Sequence, residues 1–185
     1  MEYHCKYFEV LASKLADYTE KCTVSFMDLY RNTERNVKTL NIVKDTYEMQ
    51  VELLQRFVEI AKEHGLYIDT CAEIGDFHNI GVEHAHCIDR ERIERIGEFK
   101  LSVDKDTNQR AECGCVASID IGAYNTCKNG CLYCYANYSS NTVEKNFVMH
   151  NPKSPLLFGE IDDTDVIKER KVKSLIDCLL YTSPS

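Results

Sequence analysis

The chain has 185 residues, room for one ordinary domain, and a 44% apolar content that can fill a core. Thirty acidic residues against 22 basic ones give a net charge of −8, and no basic run with interleaved aromatics offsets it, so nucleic acid is not indicated as a partner. No stretch approaches the length of a membrane span, and Met1-Glu-Tyr-His-Cys-Lys-Tyr7 lacks the basic-then-apolar layout of a signal peptide.

From Tyr3 to Tyr18, Phe8, Leu11, Leu15 and Tyr18 fall at helical spacing and predict an amphipathic helix. Cys22 to Leu29 is β-rich and reads as a buried strand. Tyr30 to Asn41 is polar and reads as a loop with a helical turn. Thr46 to His64 is the strongest predicted helix, with Val51, Leu54, Phe57, Val58 and Ala61 on one face and Gly65 as its stop. Leu66 to Cys71 is a second predicted strand, and Asp89 can cap a helix that runs through Ile96 to Gly97. From about Phe99 to Asp162 the chain is rich in turns and cysteine and poor in periodicity.

Helix, strand, helix, strand, helix is the rhythm of parallel β/α units. Two units cannot close a barrel of eight, so residues 1–98 are expected to be the C-terminal units of a partial β/α barrel, or of a related open α/β fold. Residues 99–177 are expected to form a cysteine-rich segment that its metal stabilises. The last eight residues, Cys178 to Ser185, read as a translation of TGT CTC TTA TAC ACA TCT CCG AGC, which resembles a sequencing-library adaptor. They are set aside as an adaptor-derived tail.

Ten cysteines are many for a chain of this size, and seven of them lie between Cys71 and Cys134. With no secretion signal, that clustering points to metal or iron–sulfur ligation in a reducing cytoplasm rather than to a disulfide framework. Cys127, Cys131 and Cys134 are separated by three and then two residues in Thr126-Cys-Lys-Asn-Gly-Cys-Leu-Tyr-Cys-Tyr-Ala136. Four thiolates close all four irons of a [4Fe–4S] cube, whereas three hold it with one iron open. Asn129-Gly130 supplies a turn tolerant of positive φ.

A second set consists of Cys71 at a predicted strand end, Cys87 after Glu83-His84-Ala85-His86, and Cys113-Gly114-Cys115. Together they amount to a complete four-sulfur site for a second iron–sulfur cluster or a zinc ion, with Gly114 expected to let both neighbouring thiolates turn inward. Cys71 alone is equally a buried core thiol. His84 and His86 could replace one sulfur, although such pairs more often face solvent. Asp28, Asp69 and Glu73 sit at or just past strand ends, where a carboxylate can orient a ligand, but capping and loop hydrogen bonds are the commoner roles.

The three-then-two spacing, Tyr133 before the third cysteine and the Cys134-Tyr135 ending resemble the cluster loop of the radical S-adenosylmethionine (radical SAM) enzymes. That resemblance implies a [4Fe–4S] cluster on Cys127, Cys131 and Cys134, SAM on the open iron, and Tyr133 shaping the SAM pocket. It further implies reductive SAM cleavage to a 5′-deoxyadenosyl radical, an unknown substrate, and a reductant such as flavodoxin or ferredoxin. The alternative is a zinc- or iron–sulfur-binding structural or electron-transfer module without catalysis.

Asn108-Gln-Arg-Ala-Glu-Cys-Gly-Cys115, Ser118-Ile-Asp-Ile-Gly122 and Tyr124 to Asn137 carry a more specific likeness, joined by Thr70-Cys-Ala-Glu73, Cys87-Ile-Asp89 and Ser154-Pro-Leu-Leu157. On these the chain resembles, from Tyr3 to Asp177, the C-terminal part of the family named domain of unknown function 1848. The resemblance implies further β/α units ahead of Met1 and assigns no substrate. In radical SAM enzymes the cluster loop usually follows the first strand of the barrel, whereas here it follows the β/α units.

Overall fold

The computed structural model describes residues 1–29, 31–38 and 40–177. In chain order the elements are α1 (Glu2–Leu15), β1 (Lys21–Val24), α2 (Arg31–Val37), α3 (Tyr47–Glu63), β2 (Tyr67–Thr70), a 3₁₀ turn (His78–Ile80), β3 (Glu83–His84), α4 (Arg90–Gly97) and α5 (Ser140–Val148). The adaptor-like residues 178–185 lie outside the described residues.

Two compact units divide the chain: residues 1–27, 44–118 and 173–177 form one, and residues 28–43 and 119–172 the other. The first is built on a three-stranded parallel sheet in the order β1-β2-β3, with Cys22 opposite Ile68 and Asp69 opposite Glu83. This is a small open α/β sheet, and it overturns the expected partial barrel. The helix–strand rhythm is common to open and closed parallel sheets, and closure depends on strand number and stagger, which periodicity does not report. The strands here are short, β3 being only two residues, and β2 reaches β3 through a 3₁₀ turn instead of a full helix.

α3 forms as predicted. Thr46 accepts a hydrogen bond from the Met49 amide at its N-terminus, and Gly65 takes a positive φ of 68° just past its end. Leu54, Phe57, Val58 and Ala61 are buried and pack with Phe8, Ala12, Leu66, Ile68, Phe77 and Val82 in one core. Each of the larger side chains, Leu, Ile, Val and Phe, contributes about 1.5–3 kcal/mol on leaving water.

α1 buries Phe8 of its predicted stripe but not the remainder. Phe8 stacks on Phe57 with ring centroids 4.3 Å apart, and Ala12 is buried beside it. Leu11, Leu15 and Tyr18 are exposed, as are Tyr3 and Tyr7. The helix carries two apolar stripes, and the slender Ala12 lets its own stripe approach α3 closely.

The opposite face of the sheet is polar. Lys21 on β1 meets Asp69 on β2 at 2.6 Å, with both side chains more than nine-tenths buried. Asp69 Oδ1 has no hydrogen-bond partner among the described residues. Although burial itself works against the charged amine, the hydrogen bond and charge of Asp69 hold the Lys21 pKa above its ordinary value.

In the second unit, the described buried residues are few: Thr33, Val37, Asn125 and Val143. Its helix α5, absent from the sequence expectation, starts where Ser139 accepts from the Thr142 amide. Among the described residues, no helix is long and apolar enough to cross a membrane.

Candidate functional site

The two sets of sulfurs fall in different units. In the first, the C-terminal ends of β2 and β3 deliver Cys71 and Cys87. β2 ends at Thr70, so Cys71 is the next residue, its amide donating to the Val24 carbonyl at 3.0 Å. Past β3 the Ala85 amide donates to the Thr70 carbonyl, which carries the chain back across the sheet end before Cys87. The Sγ atoms of Cys71 and Cys87 lie 3.0 Å apart.

Cys113 and Cys115 come to the same place from an irregular hairpin. Lys105 bridges antiparallel to Val116, and the Asp106 amide donates to the Cys115 carbonyl at 2.9 Å. The Val116 amide donates to the Ile88 carbonyl at 3.1 Å, and the Ile88 amide donates back to Cys115 Sγ at 3.3 Å. Cys113 and Cys115 are both buried and pack with Ala72 and Cys71 in a cluster separate from the main core. Cys71 thus touches Cys87 on one side and packs with Cys113 and Cys115 on the other. The four upstream sulfurs therefore form one connected group.

Crowding acts unequally on these thiols. Although Cys87 is exposed, desolvation of its sulfur and then the neighbouring Cys71 and Cys115 push its pKa up to about 12. Burial is also the largest effect on Cys113, whose pKa is raised. For Cys115 burial works upward, but the Ile88 amide and the thiols of Cys113 and Cys87 outweigh it, and the pKa falls.

The surroundings fit this group closely. A Cβ on Gly114 would stand 2.3 Å from the imidazole of His86, so a larger residue there would have to displace that exposed ring. That differs from the expected reason, since Gly114 is not among the residues with positive φ. Ala72, between Cys71 and Glu73, does have a positive φ of 55°, a conformation that costs a non-glycine residue roughly 1–3 kcal/mol. Its carbonyl accepts from Arg110 Nη1 at 3.3 Å, which places a cation beside the sulfurs.

In the second unit, the Cys127–Cys134 loop is held by its base. Asn125 is buried with φ 57°, and its Oδ1 accepts from the amides of Tyr138 and Ser139 at 2.9 and 3.2 Å. Asn137 Nδ2 donates to the Cys127 carbonyl at 2.6 Å. Gly130 takes a positive φ of 64°, the turn that Asn129-Gly130 predicts. Lys128 pairs with Glu144 at 3.0 Å and lies 3.9 Å from the Phe147 ring centroid, fastening the loop to α5.

Cys127 and Cys131 are exposed and line one cavity of about 280 Å³ with Gly130, Asn137 and the α5 N-terminus at Ser139 and Ser140. Cys134 is half-buried and is not among the residues lining that cavity. Neither is Tyr133, whose hydroxyl donates to the Asp28 carbonyl within the same unit. Among the described residues, no three histidine, cysteine, aspartate or glutamate side chains already stand around one point as the ligands of a metal ion would.

The strand-end carboxylates hold the chain together. Asp69 pairs with Lys21, and Glu73 Oε1 accepts from the Phe26 amide at 2.8 Å and the Ser25 hydroxyl at 3.3 Å. Lys21, Asn125 and Arg110 are residues that sequence reasoning misses. A lysine opening a short β-rich run is the one signal that marks Lys21; Asn125 and Arg110 carry none beyond their nearness to cysteines.

Neither the curated proteins nor the solved structures give a match to this chain. A family model does match, over residues 1–136, a span that takes in both sets of sulfurs and ends just past Cys134. The chain belongs to the family described as a domain of unknown function (DUF1848).

Proposed function

We propose that this chain is an iron–sulfur protein of the radical SAM type, with Cys127, Cys131 and Cys134 as the thiolates of a [4Fe–4S] cluster. The observation that carries the reading is the loop itself: three thiols spaced by three and two residues, two of them opening on one cavity, around a glycine in the left-handed region. Three thiolates would leave one iron for a further ligand, and Cys134, which lies outside the cavity, would have to turn toward Cys127 and Cys131 to complete the set.

When bound, such a cluster supplies an electron for reductive cleavage of SAM. The chain's own residues do the positioning. Asn125 and Asn137 fix the two ends of the loop by hydrogen bonds to its backbone. Gly130 allows the sharp turn that carries the chain from Cys127 to Cys131. The N-terminus of α5, with Ser139 and Ser140 on the cavity wall, presents the positive end of a helix where an amino-acid carboxylate would sit. Tyr133, tied to the Asp28 carbonyl, anchors the loop between its second and third cysteines.

Anaerobic reconstitution with iron and sulfide tests this directly. The expected result is cluster absorption and bound sulfide that disappear in Cys131→Ala, and 5′-deoxyadenosine when SAM and a strong reductant are added. A protein that takes up only zinc at this loop, or holds a cluster that never cleaves SAM, overturns the reading in favour of a structural or electron-transfer module.

A further inference from the structure

We propose that Cys71, Cys87, Cys113 and Cys115 form a second metal site, separate from the Cys127 loop, that binds a single tetrahedral thiophilic ion of the zinc class. Three segments distant in sequence bring four sulfurs together: Cys71 and Cys87 lie 3.0 Å apart, and Cys71, Cys113 and Cys115 pack around Ala72, although no three of them yet surround one point. Two of the four are buried inside the unit, where thiols are kept from water and from most other chemistry.

Distance argues for one ion rather than a cluster. Zinc holds sulfur at about 2.3 Å, so two sulfurs on one tetrahedral ion stand about 3.8 Å apart. The Cys71 and Cys87 sulfurs are 3.0 Å apart, closer than that edge and well beyond the roughly 2.05 Å of a disulfide. Small side-chain rotations open the pair to the tetrahedral edge. A [4Fe–4S] cube places its thiolates on different irons, hence farther apart, and would require the backbone segments to separate.

The surroundings supply what a tetrathiolate needs. Four thiolates around a divalent ion leave a net charge of −2, which hydrogen-bond donors and nearby cations must offset. The Ile88 amide already donates to Cys115 Sγ, and Arg110 stands beside the cluster on the Ala72 carbonyl. His86 covers the Cys113-Gly114-Cys115 turn from outside. The ion would staple the ends of β2 and β3 to the 103–117 hairpin, because its ligands come from all three. Binding replaces thiol protons by the metal, so protons are released and affinity falls with falling pH.

The test uses the full chain with Cys127, Cys131 and Cys134 all changed to alanine, which isolates this site from the loop. Purified with zinc, this variant should retain one equivalent of zinc. Cobalt in its place should give the strong thiolate-to-metal charge-transfer absorption of a tetrathiolate. Adding Cys113→Ser should abolish both signals, whereas Cys5→Ala should leave them unchanged. Should Cys113→Ser fail to fold, alkylation of the loop variant decides: zinc should protect four thiols and chelation should expose them. No retained metal, iron with sulfide instead of zinc, or a Cys71–Cys87 disulfide in the mass spectrum would each overturn the proposal. Because the loop cysteines are absent throughout, these outcomes are independent of whether the loop carries a SAM-cleaving cluster.

Discussion

The two units of this chain are held together by different means. The sheet unit buries a continuous apolar core, from Phe8 and Ala12 through Leu54, Phe57 and Ile68 to Phe77 and Val82. The loop unit buries Thr33, Val37, Asn125 and Val143 among its described residues, and two of these four are polar. Hydrophobic burial can stabilise the first by itself. In the second, the described residues hold the loop by side-chain amide hydrogen bonds and the Lys128–Glu144 ion pair, and the proposed metal on its three thiols would stand in for a core.

The largest expected effect breaks the comparison at that point. Stripping all metal under reducing conditions should remove amide protection from residues 119–148 while α1 and α3 remain protected in hydrogen exchange. Structural metal binding is worth roughly 10 kcal/mol or more where folding depends on it. Uniform retention of protection across both units would show that the loop unit is stable without metal, and uniform loss would show the same dependence in the sheet unit.

A second test probes the polar face of the sheet unit. Lys21→Met should cost about 3–5 kcal/mol in chemical denaturation, because it leaves Asp69 buried without its cation. Lys21→Met with Asp69→Leu should recover most of that loss. The same pair predicts the response to alkali. The folded pKa of Lys21 lies above its ordinary 10.5, so the contribution is complete below pH 10.5 and is lost as pH rises through the folded value. The unfolded chain gives up its proton first, and stability must fall. A wild-type slope between pH 10 and 11 no steeper than that of the double variant would refute this.

The smallest effect sharpens the account of the loop unit. Asn125→Ala should cost about 1–3 kcal/mol by leaving the Tyr138 and Ser139 amides without their acceptor. Asn125→Gly restores the ease of the positive φ but not the amide oxygen, so it should recover only part of the loss. Complete rescue by glycine, read from urea titrations of the metal-loaded protein, would show that backbone conformation alone is what Asn125 supplies.

Much of the sheet unit is legible in the sequence because its signals are local. α3 has a continuous apolar face and a terminal glycine, and both appear where they are expected. Asp89 caps α4 as expected, accepting from the Arg92 amide. The inward face of α1 was only partly legible: Phe8 of the predicted stripe is buried and stacks on Phe57, whereas Leu11, Leu15 and Tyr18 are exposed and Ala12 is buried instead.

The cysteines divide along the same line. The Cys127–Cys134 loop is a run of close residues, so its spacing and its Gly130 turn are properties of the chain alone, together with membership of a family. The sequence raises Cys71, Cys87 and the Cys113–Cys115 pair as one group, but only the tertiary structure brings them into contact. Their separations in sequence fix no distances; the parallel pairing of β2 with β3 and the Val116-to-Ile88 hydrogen bond do. The same holds for the open sheet. Helix and strand periods arise residue by residue, but whether parallel strands close on themselves is decided by how many there are and how they stagger.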